Sequence, residues 1–291
     1  MKYVDKVYGE FEFNEDIILK ILNCKSILRL KKIEQMGLPP KLHYNLGFSR
    51  FEHTLGVLCL CYKFNLSLEH KIAAIFHDLA HTAFSHVYDY LVKNYEENFH
   101  DNNLKILLDN DKEIKSILKE YNIDIKQFYN IEDKFEIIKR KDRFLNFDRF
   151  DYTLREFFYL KKDLNKINMF LENIFLKDDC IIFKTYGLAK KFKEIYIYFS
   201  QNHWGDANHK TRYSIFVDSL KKALDLNLIT FDDFYKTDDY ILDILYSSNN
   251  KYILEKLKQL ETGNFKLREI KAKNRVLDIK YISKDKIISI L

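Results

Sequence analysis

Glycine and proline are scarce in this chain, seven and two among 291 residues. Turns depend on these residues and helices dispense with them, so the shortage predicts a mainly α fold with short connections. Cysteine is sparse too. The four, Cys24, Cys59, Cys61 and Cys180, show no metal-type pairing, since Cys59 and Cys61 stand two apart and point to opposite sides of a helix; reduced, mostly buried thiols follow. No apolar run approaches the roughly 18 residues of a membrane span, and the N-terminus M-K-Y-V-D-K lacks the apolar stretch of a secretory signal. The chain is therefore expected in the cytoplasm, with no membrane partner. A glycine-rich phosphate loop is missing as well, so any polyphosphate would rest on Arg and Lys side chains and an ion. Neither an internal repeat nor a low-complexity linker is present.

What remains is a globular composition, 47% hydrophobic and 31% charged, with 20 Tyr and 24 Phe. The net charge of +5 suits anionic ligands, although lysines on solvated faces explain most of it. Against this background one stretch stands out. His53, His77, His81, His86 and His100 crowd between Arg50 and Asp101 with Asp78 and Asp89 interleaved, far denser than nine histidines scattered through a core. Such clustering points to a metal or acid-base site. Leu55, Leu58, Cys59 and Tyr62 share a helical face after His53, and Ile72, Ala73, Ile75 and Phe76 lead into His77, so both histidines are expected on helices. Adjacent His77 and Asp78 sit about 100° apart around a helix and can reach one ion. A hard or borderline divalent ion needs a further imidazole and a further carboxylate. His53 supplies the first; Asp148 is the candidate for the second, with Asp151 open on spacing alone.

Taken in order, residues 1–13 are expected as a short strand or extended arm, and Asn14 as the cap of a helix carrying Ile17, Ile18, Ile21 and Leu22. A second helix is predicted from Ile27 to Met36, stopped by Gly37 and L-P-P (38–40), followed by a loop H-Y-N-L-G-F-S. Helices are predicted at 51–65, 68–79, 86–95, 97–109, 112–120, 132–141, 186–200, 208–226 and 238–259. N-I-F-L-K-D-D-C-I-I-F-K predicts a β-hairpin, and the tail a second one around K-N-R (273–275). The segment from 142 to 160 places Asp148, Tyr152 and Arg155 on roughly one helical face.

The blocks R-F-E-H (50–53), H-D-L-A-H-T-A-F-S-H (77–86), H-D (100–101) and F-D-R-F-D-Y (147–152) resemble the HD-domain phosphohydrolases, and within them the deoxynucleoside triphosphate triphosphohydrolases. The resemblance implies a helical HD-domain core over 1–260 with small hairpins in its C-terminal half; 261–291 is set apart as a C-terminal β extension. It implies His53, His77, Asp78 and Asp148 as ligands of one divalent ion: Mg, Mn or Fe, with Zn or Ni as alternatives on purification. His81, Asp89 and His100 match an acid-base relay, and His86 a residue beside the scissile phosphate. Arg50 matches a phosphate-gripping arginine, a job its planar fork of donors fits. Gln35 and Met36 match positions on the 3′ side of the sugar, and a surface glutamine is the competing account of Gln35. Tyr152 resembles a sugar-contacting tyrosine, Glu156 stands where aspartate is usual, Tyr213 falls beneath sugar or base, and Arg149 adds phosphate charge. The family's phosphate-holding arginine falls near Asn202, which leaves Lys210 or Arg212 to replace it. His203, Trp204 and His209 are expected as packing or pocket-wall residues.

The reaction this implies is metal-dependent nucleotide hydrolysis, with attack at the α-phosphorus giving a deoxynucleoside and triphosphate. An HD nucleotidase or phosphodiesterase acting on monophosphates or dinucleotides would share the ligands and need less grip on polyphosphate. A non-catalytic nucleotide-sensing or nucleic-acid-binding module is the third reading; K-L-R-E-I-K-A-K-N-R (266–275) is its local candidate, and nucleic acid is not the favoured partner. A homo-oligomer, dimer or larger, is expected by analogy. Family members activated by a guanine nucleotide carry an acidic residue, a glutamine and an arginine where this chain has Asn23, Leu28 and Lys31, so activity without such an activator is expected.

Overall fold

The computed structural model describes residues 1–43, 47–270 and 275–290. It is mainly α. A small hairpin, β1 (Lys2–Asp5) and β2 (Gly9–Glu12), precedes α1 (Asp16–Leu22) and α2 (Lys25–Arg29). Then come α3 (Arg50–Lys63), α4 (Leu68–Phe76), α5 (His86–Leu91), α6 (Phe99–Asn110), α7 (Lys112–Glu120), α8 (Ile131–Lys134), α9 (Phe147–Lys161) and α10 (Leu164–Leu171). A hairpin, β3 (Ile174–Lys177) and β4 (Cys180–Phe183), leads into α11 (Tyr186–Phe199), α12 (Ala207–Asp225), α13 (Asp238–Ser247) and α14 (Lys251–Thr262). The strands β5 (Ile279–Ser283) and β6 (Lys286–Ile290) come last.

Apolar side chains gather into two buried clusters, one around α1, α3, α4, α9 and α11, the other around α5, α12, α13 and α14. In α3, Leu55, Val57, Leu58, Leu60 and both cysteines are fully or nearly fully buried, so this helix is covered on most sides. Its start is set by Ser49, whose hydroxyl accepts from the Glu52 N–H at 3.2 Å. Ser67 caps α4 in the same way. Each helix thus begins at a defined residue, which fixes where His53 and His77 emerge.

Several boundaries differ from those expected. Asn14 does not cap α1; Glu15 occupies the N-cap and makes no side-chain cap bond. The predicted 27–36 helix is α2 plus a short 3-10 turn at Leu30–Lys32, because Gln35 N–H and Arg50 N–H turn to the Phe48 and Ile33 carbonyls and tie this segment to the head of α3. α4 stops at Phe76, which makes His77 its C-cap and leaves Asp78 beyond the helix. Of the 132–141 prediction only 132–134 is helical, the end of α8. Beyond it, the Ile137 and Ile138 carbonyls accept from Phe147 and Asp148 N–H, a role they could not take inside a helix. α10 was not foreseen, and 238–259 is two helices divided by Asn249 in a left-handed conformation. The loop predicted after Pro40 and the K-N of the tail fall partly outside the described residues. The tail hairpin turns instead at Lys284-Asp285, and β5 pairs in parallel with β4, giving a sheet of order β3-β4-β5-β6. Asp278 also bonds the backbone of Arg143 and Leu145, so the tail is stitched to the segment leading into α9.

Candidate metal centre and adjoining cleft

α3 presents His53, the end of α4 presents His77 with Asp78 behind it, and the first turn of α9 presents Asp148. Three helix ends therefore converge. His53 Nε2 lies 3.1 Å from His77 Nε2 and 3.1 Å from Asp148 Oδ1. The Asp78 carboxylate stands 3.7 Å from His53 Nε2 and 3.6 Å from His77 Nε2. The outward nitrogens are already engaged: His53 Nδ1 donates to Asp151 Oδ2 at 2.7 Å, and His77 Nδ1 to the Ala74 carbonyl at 2.7 Å. That leaves both Nε2 atoms turned on each other and on two carboxylates, an arrangement suited to a cation.

Charge agrees with geometry. Burial works against a charge on His53, but the bonds from Asp148 and Asp151 outweigh it and lift the imidazole to about 9, so a proton is held among the would-be ligand atoms. Burial lowers His77 instead. Burial alone would raise Asp78, yet the charges of His77, Arg50, His81 and Lys139 hold its carboxyl well below the usual range. Asp148 is held at about 2 against burial, by its His53 bond and by Lys139. Imidazole and carboxylate oxygen together are the donor set of a borderline or hard divalent ion, which would displace the shared proton on binding. The residues present fit such an ion.

Asp151, left open as a ligand, takes a different place. It is fully buried and braced by Arg155, whose Nε and Nη2 donate to its two oxygens at 3.0 and 2.9 Å, and Arg155 Nη2 also reaches Asp5 Oδ2 at 3.0 Å. Asp151 therefore orients His53 and does not face the centre.

Beside this centre lies a second group. His81 and His100 stack at 3.7 Å between ring centroids. Both are held well below their usual range, first by burial, then by the Arg50 charge for His81 and by the His81 and Lys139 charges for His100. The relay expected from His81, Asp89 and His100 is regrouped: Asp89 accepts from His86 Nδ1 at 3.0 Å and from Asn94 and Phe99, and bonds neither His81 nor His100. The 77–86 turn makes this so, with Phe84 and Ser85 both left-handed without glycine. Asp238 accepting from Phe84 N–H and Glu34 accepting from Ser85 Oγ hold that costly backbone. His86 and His81 both line the cleft, with His86 the more exposed of the two.

The cleft has two parts. A polar cavity of about 390 Å³ is lined by Asp78, His81, His86, His100, Asp148 and several cations, among them Lys139, Arg143, Arg149 and Arg275. A smaller pocket of about 80 Å³ adjoins it, walled by Gln35, Met36, Phe48, Tyr152, Trp204, His209 and Tyr213. Gln35 Oε1 is buried there without a partner, which fits a pocket residue better than a surface glutamine. Tyr213 donates to the Met36 carbonyl, and Glu156 is held by Trp204 Nε1 at 2.6 Å and His203. Arg50 is present but engaged, with Nη1 on Asp78 at 2.5 Å and Nε on Ser85 at 2.9 Å. Arg149 donates to the Phe144 and Arg140 carbonyls.

Of the two substitutes for the family arginine, Lys210 lies in the pocket on Glu97 and Tyr90. Arg212 does not reach the cleft; it donates to the Leu42 and Leu260 carbonyls. Sequence reasoning missed Glu97, Lys139 and Arg275. Arg275, carried in by the tail, pairs with Glu97 and keeps Nη1 buried without a partner at the junction of cavity and pocket. None of the three has a spacing relation to the motif blocks.

The family model described as HD domain matches residues 50–156, which contain every ligand atom described above. Residues 50–156 are an HD domain. Its relatives include YdhJ of Bacillus subtilis (strain 168), 27% identical over 90% of this chain and 81% of that protein. The metal-dependent phosphohydrolase cns2 of Cordyceps militaris is 30% identical over 52% of this chain and 44% of its own length. The deoxynucleoside triphosphate triphosphohydrolase SAMHD1 homolog of Dictyostelium discoideum is 26% identical over 82% of this chain and 51% of its own. The chain thus spans about half or less of cns2 and of the SAMHD1 homolog. Among the described residues no helix is long and apolar enough to cross a membrane.

Proposed function

We propose that this HD-domain protein is a metal-dependent nucleotide phosphohydrolase, and specifically one that cleaves deoxynucleoside triphosphates to deoxynucleoside and triphosphate. The observation that carries the reading is the convergence of His53, His77, Asp78 and Asp148, of which Asp78 and Asp148 line a cation-rich cavity that adjoins an aromatic pocket. A divalent ion held there would polarise a phosphoryl oxygen and lower the pKa of a bound water. The chain's own residues do the rest. Asp89 on Nδ1 of His86 fixes that ring so that Nε2 is the atom that gives a proton to the leaving oxygen. Lys139, Arg149 and Arg275 neutralise phosphate charge, with Arg275 in the place sought for the family arginine. Tyr152, Tyr213, Gln35 and Glu156 hold sugar and base, and close packing of Trp204 on Tyr152 keeps water from that side.

A homo-oligomer, and activity without a guanine-nucleotide activator, belong to the same proposal, as does a division into a core over 1–260 and a β extension over 261–291. One observation favours a second reading, an HD nucleotidase on monophosphates or dinucleotides: Arg50 and Lys210 are already paired with Asp78 and Glu97, which leaves fewer cations for a triphosphate. A nucleic-acid module is disfavoured because Arg268, in the basic tail, is neutralised by Asp218 at 2.9 Å. Chromatography of products from each dNTP, NTP and NMP with Mg²⁺, Mn²⁺ or Fe²⁺ separates these. Inorganic triphosphate supports the first reading, turnover of monophosphates alone the second, and no product at all contradicts both.

A further inference from the structure

Asp78, His81 and His100 bring three metal-type ligand atoms together beside the centre described above, and Asp78 borders both groups. A side chain of this chain already stands in that second group. Lys139 Nζ lies 2.7 Å from His100 Nε2, 2.7 Å from Asp101 Oδ1, and 3.5 Å from both Asp78 Oδ1 and the His77 carbonyl. An ammonium has three protons to give, and these four acceptors use them. The His100 Nε2 lone pair, which a metal ion would need, is therefore spent on the lysine.

We propose that Lys139 is a built-in second cation of this site: its ammonium fills the Asp78–His81–His100 group, so that the protein binds one metal ion and not two. The placement is fixed by the backbone. The segment ending at Lys139 is held by Ile137 and Ile138 accepting from the first N–H groups of α9, the helix that carries Asp148, so the lysine and the metal centre move as one unit. Lys139 is 8% exposed and surrounded by carboxylates on two sides. Unlike a metal ion, an ammonium cannot bind and ionise water. It can hold Asp78 ionised and add positive charge beside a bound phosphate. Water activation then belongs to the His53 centre alone.

This inference rests on the metal centre of the proposed function, and the test separates the two. Mn²⁺ would be counted per chain by elemental analysis and titration calorimetry in the wild type, Lys139→Met and Lys139→Arg, with circular dichroism as the check on folding. One ion per chain is expected in the wild type and in Lys139→Arg, and two in Lys139→Met. Electron paramagnetic resonance should then show isolated Mn²⁺ in the wild type and a coupled pair across Asp78 in Lys139→Met. Two ions in the wild type would overturn the role of Lys139 while leaving the metal centre standing. A folded Lys139→Met that still takes only one ion would overturn it as well. No ion in the wild type would overturn the metal centre and this inference with it. Should Lys139→Met not fold, the wild-type count and spectrum still decide.

Discussion

At the scale of single residues, the groups that hold an ion are distinct from the group that moves a proton. His77 and Asp78 face the centre directly, so His77→Ala or Asp78→Ala should abolish stoichiometric ion binding while the helical circular dichroism signal is kept; full ion occupancy in the double variant would refute the assignment. His86 faces the cleft with Asp89 behind it and touches no ligand atom of the centre. His86→Ala should retain the ion and lose roughly 10²–10⁴-fold in kcat. Unchanged kcat would remove it as the proton donor. The His-Asp cluster was legible because local density and spacing carry it, all within Arg50 to Asp101 apart from Asp148. Lys139 and Arg275 were not legible, since each is one basic residue among 48 and acquires its role only through contacts made by the folded chain, 39 positions away for Lys139 and His100 and 178 for Arg275 and Glu97.

Elements set the precision of the site. Periodicity found α3 and α7 closely because their apolar or amphipathic faces repeat and their starts are capped by Ser49 and Asp111. It misread 132–141, where E-D-K-F-E-I-I-K-R-K has a helical pattern but the carbonyls of Ile137 and Ile138 are claimed by α9. α3 and α9 approach closely at Gly56: a Cβ there would meet Arg155 Nη2 and Asp151 Oδ1, each at 2.0 Å. Gly56→Ala should thus push apart the pair that orients His53. We expect a loss of about 1–3 kcal/mol in stability and a roughly 10–100-fold weaker ion affinity, read by urea unfolding and calorimetry. Affinity equal to the wild type would show that Asp151 does not brace the ligand.

For the whole molecule, burial of neutral histidines predicts sensitivity to acid. Burial, with the Arg212 charge beside it, lowers His43 from 6.5 to about 4, and burial lowers His209, 3.0 Å away, well below its usual range as well. The unfolded chain takes up a proton near 6.5 and the folded chain resists until about 4, so this stability is fully present above pH 6.5 and is lost as pH falls through that window. The shift on His43 corresponds to about 3 kcal/mol. Urea midpoints in ion-free buffer should fall between pH 6.5 and 4, and less steeply in His43→Gln. A slope identical in the two proteins would contradict the assignment.

The most direct test of the central claim is turnover against ion content. Protein stripped by a chelator and supplied with Mn²⁺ in substoichiometric steps should regain hydrolysis of a deoxynucleoside triphosphate in proportion to the ion added, with a plateau at one ion per chain and no recovery in Asp78→Ala. Turnover that persists in the stripped protein, or that returns in Asp78→Ala, would contradict it.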